Sequence, residues 1–266
     1  MVEPAKKKRK LPSLDDSFDA APRRSDSPDL HQGRKRTTPH VEGQWAAHVY
    51  LDLESSHGLR RVLKKAFESC AKACPPEVTV HPLLDPPPIG SRPAIPSAAP
   101  TRSPTLPHTS ENTLHLSLSR PLMLQTNQRA ELRAGVAKVA GQVAGFSTRY
   151  ASFVVLENDQ RTRRFLGIEI GQGYDEMHAL VRKIDDMLAT HRLPTYYPEP
   201  RFHTSLAWST TTSTTAEDVS NLPFDDALLV DLEAELGKQL RREGEVWAGE
   251  LCVKIGKDVS RYRLSG

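Results

Sequence analysis

The sequence predicts an α+β fold with largely antiparallel sheets, arranged as two similar lobes. Two observations carry this prediction. Strand and helix patterns follow one another as strand, helix, strand, then strand, helix, two strands, helix, strand, helix and two closing strands, and such mixed runs pack helices against antiparallel sheets. The pattern apolar-His-x-Ser-Leu also occurs twice, at Leu114-His115-Leu116-Ser117-Leu118 and Phe202-His203-Thr204-Ser205-Leu206, 88 residues apart. Each copy lies in a strand-like run, so each lobe is expected to give one. No other repeat of about 20–50 residues is visible.

Of the 266 residues, 38% are hydrophobic and 21 are proline. That apolar share implies segments outside the core, and the roughly 200 residues that remain suffice for a sizeable one. The net charge of +3 is small, so basic character is local. Cys70, Cys74 and Cys252 lack metal-ligand spacing and are expected to be reduced thiols, as in an intracellular protein. No run of about 18 apolar residues occurs, so no membrane span is expected. No apolar segment follows the N-terminal charges, as a secretory signal would require.

Residues 1–42 are rich in Lys, Arg, Ser, Asp and Pro and are expected to be a disordered basic tail. Within them Lys6-Lys7-Lys8-Arg9-Lys10, between Pro4 and Pro12, reads as a nuclear import signal or a nucleic-acid patch. The folded domain is expected over 43–266. Trp45–Leu53 is rich in strand formers. Gly58–Ala73 is amphipathic, with Leu59, Val62, Leu63 and Phe67 on one helical face. Val78–Leu84 is a short strand candidate. Residues 85–110 carry eight prolines among Ser and Ala and read as an extended insertion. Thr113–Ser119 is the first His-x-Ser strand. Gln128 to Val143 reads as a helix with small residues, Ala130, Ala134, Ala137 and Ala140, suited to close packing. Ala151–Leu156 and Arg164–Ile170 form a hairpin pattern, and Asp175–His191 an amphipathic helix. Pro194–Pro200 leads into the second His-x-Ser strand, 202–208. Residues 209–221 read as an exposed Thr- and Ser-rich loop, Leu228–Arg242 as a helix, and Trp247–Ile255 and Val259–Leu264 as closing strands.

Successive side chains on a strand face opposite sides, so His115 and Ser117 share one face, as do His203 and Ser205, about 6–7 Å apart along the strand. A lone His-x-Ser on a strand is most simply a hydrogen-bonded structural histidine. Two copies, both flanked by apolar strand residues, point instead to one shared site. A third match, His108-Thr109-Ser110, lies in the Pro- and Ser-rich stretch without a strand pattern and is set aside. Two imidazoles suit acid–base work on a phosphodiester, because the imidazole pKa lies near working pH. Two hydroxyls can donate to the phosphoryl oxygens where charge builds. This chemistry calls for no metal, and no His/Asp/Glu cluster with ligand spacing is present in the sequence. Tyr196 and Tyr197, before the second strand, could stack on a base or pack in the core. Arg161, Arg163 and Arg164 could reach phosphates or lie on a solvated hairpin.

The paired strands resemble those of the two-histidine phosphoesterase superfamily and, more closely, the U6 snRNA phosphodiesterase family. The matching stretches are Gly43-Gln44-Trp45-Ala46-Ala47-His48-Val49-Tyr50, 114–119, 158–169, Leu193-Pro194-Thr195-Tyr196-Tyr197 with 202–208, and Cys252-Val253-Lys254-Ile255-Gly256. The resemblance implies two lobes around a central groove and no metal or other cofactor. It implies His115 and His203 as the catalytic pair, Ser117 and Ser205 as phosphate-binding hydroxyls, and Tyr197 as the base-stacking tyrosine. It also implies a nuclear 3′–5′ exonuclease that trims the oligouridine end of U6 RNA, leaving a 2′,3′-cyclic phosphate that is either kept or opened. A monomer acting on RNA, away from membranes, is expected. Thr204 stands where the family more usually has Leu. Which histidine is acid and which is base stays open at this stage. The alternatives are a 2′,3′-cyclic phosphodiesterase or 2′–5′ RNA-ligase-like enzyme, and a nuclear RNA-binding protein without turnover.

Overall fold

In the computed structural model, a curled antiparallel sheet is backed by helices. The structure describes residues 41, 43–76, 78–84, 113–211 and 223–266, all within one unit, His40–Gly266. The expected basic tail, the 85–110 insertion and most of the 209–221 loop lie outside the described residues. The elements are β1 (Gln44–Glu54), α1 (His57–Ala73), β2 (His81–Pro82), β3 (Thr113–Ser117), β4 (Leu122–Gln125), α2 (Gln128–Ala140), β5 (Phe146–Glu157), β6 (Arg163–Gln172), α3 (Tyr174–Thr190) and β7 (His203–Thr210). A last helix runs as α4 (Asp226–Leu232), a π-helical turn (Glu233–Gly237) and α5 (Lys238–Glu243), before β8 (Glu245–Ile255) and β9 (Asp258–Arg263).

The strands pair in the order β2-β7-β6-β5-β8-β1-β3, with β4 on β1 and β9 on β8. Every pairing between these strands is antiparallel. The two halves are thus joined into one hydrogen-bonded sheet, and the join is short. Only Phe146–Arg149, the start of β5, pairs with β8, while the rest of β5 pairs with β6. The sheet curls enough that β3, at one end, packs against β7, near the other.

Local chemistry explains most element boundaries. Ser56 caps α1 by accepting from the Leu59 amide at 3.0 Å. The α1 residues Leu59, Val62, Leu63, Ala66 and Cys70 are buried on one helical stripe, and Pro75 and Pro76 follow its end. Gly173 starts α3 at φ 88°, where a Cβ would sit 2.7 Å from Thr148 Oγ1, so a side chain there would be both strained and crowded. Asp225 caps α4 from the Leu228 amide at 2.8 Å.

Several elements differ from the sequence expectation. The strand expected over 78–84 reduces to His81–Pro82 on the outer side of β7, where Pro82 has no amide to donate. The four-residue β4 was not expected, because Leu122-Met123-Leu124-Gln125 is too short to show a period. It becomes a strand by pairing with Gln44–Ala47 of β1. The hairpin strands and β7 run longer than expected, with Ser209 and Thr210 belonging to β7 rather than a loop. In α2 the packing stripe is Leu132, Val136, Val139 and Ala140. Ala130 and Ala134 are exposed, because the larger apolar residues claim the core face.

Candidate active site

Both His-x-Ser pairs lie on the face of their strand opposite the core. In β3, Leu114 and Leu116 are buried while His115 and Ser117 are exposed. In β7, Thr204 and Leu206 are buried while His203 and Ser205 are half-buried. Thr204 does face away from the motif: its hydroxyl bonds the buried Tyr150 hydroxyl at 2.7 Å. The two motifs are also tied together. Tyr196, in the lead into β7, donates its hydroxyl to the Ser117 carbonyl at 3.2 Å and lies parallel to Phe202. Among the described residues, neither the Ser117 nor the Ser205 hydroxyl has a hydrogen-bond partner, so both are available to a ligand.

The two histidines stand in different surroundings. His203 Nδ1 meets the Arg201 carbonyl at 2.7 Å, so this nitrogen carries the proton and donates, leaving the Nε2 lone pair free. Burial holds its pKa below the ordinary imidazole value, against the opposite pull of that bond and of Glu169. Glu169 is itself clasped by Arg201 through two contacts of 2.8 and 2.9 Å. Gly167 lies beside Ser205 in β6, and a Cβ there would sit 2.9 Å from the Thr204 carbonyl oxygen.

His115 faces a charge network that sequence reasoning missed. Its Nε2 lies 3.0 Å from Asp52 Oδ1, and Asp52 is its register partner across β1 and β3. The Asp52 side chain is 4% exposed and is held from the other side by Arg261 of β9. Burial pushes this carboxyl up, but His115 and Arg261 more than reverse that, so it is held below the usual carboxylate value. The signal was present in β1 as His48, Tyr50 and Asp52, three polar or aromatic residues at period two opposite Val49, Leu51 and Leu53. Tyr50 places its ring 4.7 Å from that of His115 and 5.0 Å from that of His48.

Tyr197 is 38% exposed. The Arg120 guanidinium lies 4.2 Å over its ring, and its hydroxyl donates to Asp159 at 3.3 Å. Tyr196 is buried, which takes the core-packing alternative for that residue. In the β5–β6 hairpin, Arg164 pairs with Glu157 at 3.3 Å. No group of three or more His, Cys, Asp or Glu side chains placed to hold a metal occurs among the described residues.

A family model, HVSL, described as an uncharacterised conserved protein, matches residues 10–263. The chain belongs to this family, the family of the U6 snRNA phosphodiesterases. Relatives include U6 snRNA phosphodiesterase 1 of Neurospora crassa, 26% identical over 90% of this chain and 69% of its own length. The Drosophila melanogaster protein of the same name is 27% identical over 69% of this chain and 59% of its own length, so this match spans less than two thirds of that relative. Among solved structures, Kluyveromyces marxianus Usb1 matches with a TM-score of 0.56 at 14% identity, covering 82% of this chain and 98% of that one. It shares the α+β fold with its curled antiparallel sheet. The chain is thus related to phosphodiesterases of the HVSL family.

Proposed function

We propose that this protein is a metal-independent 3′–5′ RNA exonuclease that removes uridines from the 3′ end of U6 RNA. One observation carries the reading. The strands β3 and β7 meet, each turning a His-x-Ser pair away from the core, and Tyr196 ties them at Ser117. His115 and His203 are the catalytic pair, with the scissile phosphoryl group between them.

His203 is the general base and His115 the general acid. The free Nε2 of the neutral His203 takes the proton from the 2′-hydroxyl of the penultimate nucleotide. That oxygen attacks phosphorus, the bond to the 5′ oxygen of the terminal uridine breaks, and His115, beside the Asp52 carboxylate, protonates the leaving oxygen. The products are a shortened RNA with a 2′,3′-cyclic phosphate and a released uridine. Water attacking the cyclic ester in the same site would give a linear phosphate. Ser117 and Ser205 donate to the non-bridging oxygens, and Tyr197 stacks on the terminal base. The U6 and uridine assignments are supported by the relatives' names and by a Kluyveromyces Usb1 structure with uridine monophosphate. Nuclear location is supported by the same names and by the Lys6–Lys10 run. Residues 43–266 act as one enzyme unit, and a monomer suffices because both motifs come from one chain.

The test is EDTA-treated protein on RNA ending in several uridines and a free diol, with products read by length and end-group mass. Stepwise shortening is the expected result. Turnover of a 2′,3′-cyclic phosphate alone would make it a cyclic phosphodiesterase, and reaction with neither would make it an RNA-binding protein. Loss of activity with chelator, restored by a divalent ion, would overturn the two-imidazole mechanism.

A further inference from the structure

A cavity of about 310 Å³ opens beside Ser117, on the reaction-site face of β1 and β8. Ala46, Ala47 and Pro121 give it apolar walls, and His48, Ser117 and Lys254 give it polar ones. Small-ligand sites start near this size, at about 300 Å³, and combine apolar walls with a few polar groups. Lys254 and His48 are register partners across β8 and β1. Lys254 forms no ion pair among the described residues, so its ammonium is available to an anion.

The cavity is continuous with the chemistry. Ser117 and His48 line it, and from His48 the Tyr50 ring, at 5.0 Å, leads on to the His115 ring, 4.7 Å beyond and outside the lining. It is also separate from the position assigned to the terminal base. Tyr197 and its partners Arg120 and Asp159 are not part of its lining. A phosphodiester centred on Ser117 has a nucleotide on each side, and Tyr197 serves only one of them.

We propose that this cavity holds the nucleotide on the 5′ side of the scissile phosphodiester, with Lys254 pairing that nucleotide's own 5′ phosphate. The inference rests on reading the site as an RNA phosphodiesterase. The apolar walls receive the ribose and base by contact, while the Ser119 hydroxyl, also in the lining, is already taken up by the Val49 amide and the Arg120 carbonyl.

The test uses UpU, whose upstream nucleotide lacks a 5′ phosphate, and UpUpU, whose upstream nucleotide has one. In Lys254→Ala the preference for UpUpU over UpU, as a ratio of kcat/KM, falls about tenfold, the size of one charge-assisted contact, and Lys254→Arg restores it. An unchanged ratio would overturn the proposal, as would equal losses on both substrates, which would make Lys254 structural. Affinity is measured in parallel with UpUpU carrying a 2′-deoxy penultimate sugar, which lacks the attacking hydroxyl. Lys254→Ala should weaken this binding relative to the equivalent UpU analogue, and no difference overturns the proposal. If the wild-type protein cleaves neither RNA, the enzyme reading fails, and the binding arm still decides what the cavity holds.

Discussion

Asp52 and His115 face each other across β1 and β3, with the carboxylate oxygen 3.0 Å from the imidazole Nε2. The carboxylate is buried and shared with Arg261, so it is a fixed partner rather than a passing one. Asp52→Asn should therefore act twice. It removes the closer of the two carboxylates beside Arg261, the other being Glu250 at 4.0 Å, and should cost at most about 3 kcal/mol in urea denaturation, because the guanidinium is partly exposed and keeps one partner. It also frees the His115 ring, lowering kcat by about 10–100-fold, as loss of an orienting carboxylate does elsewhere. A fully active, stable variant would show that the strand alone orients His115.

His203 gives a pH prediction. Its pKa is lowered, chiefly by burial, so the neutral base persists below the ordinary imidazole value of about 6.5. Activity that needs a neutral base rises as pH passes upward through that pKa, so the acidic limb of kcat/KM should lie below about 6.5. The bond to the Arg201 carbonyl and the Glu169 charge raise the His203 pKa, and the Arg201 guanidinium lowers it. Glu169→Gln should thus move the acidic limb to lower pH still. A limb that stays in place or moves upward would remove His203 from the base role.

His48 links acid and stability. Burial first, and then Lys254 and His115, lower its pKa from 6.5 to about 4. A depressed folded pKa means stability that is complete above pH 6.5 and lost as pH falls toward about 4. The loss amounts to about 3 kcal/mol over that window. His48→Gln should flatten this part of the stability–pH curve in chemical denaturation, while leaving the further loss below it that comes from Asp52.

Thr204 separates fold from chemistry. Its hydroxyl shares a buried 2.7 Å bond with Tyr150 and faces away from His203. Thr204→Val leaves the Tyr150 hydroxyl buried and unpaired, at a cost of about 1–3 kcal/mol in thermal or urea unfolding. kcat/KM at 25 °C should change little.

Tyr197→Ala should weaken RNA use by about 1–3 kcal/mol, read in kcat/KM at subsaturating RNA. Tyr197→Phe keeps the ring face and loses only the contact to Asp159, so it should retain most of that activity. Equal defects in both variants would assign Tyr197 to the Asp159 contact instead of stacking.

The local pattern of the motifs was legible because strand side chains alternate with period two. His115 with Ser117 and His203 with Ser205 share a face whatever their strands pair with. The long helices were legible for the same kind of reason, as the buried stripes Leu59–Cys70 and Met177–Leu188 follow the helical period. Elements made by pairing were not. Leu122–Gln125 and His81–Pro82 have too few residues to carry a period and become strands only against β1 and β7.

By itself the sequence determined the class of fold, the residue types of the candidate site and the face each occupies, because these depend on neighbours along the chain. Only the tertiary structure decided which groups meet. Asp52 falls opposite His115, Arg261 reaches Asp52 through β8 and β9, and Tyr196 reaches Ser117. Each of these depends on the register of strands or segments far apart in sequence, and a one-residue slip in any pairing would turn the partner to the other face of the sheet.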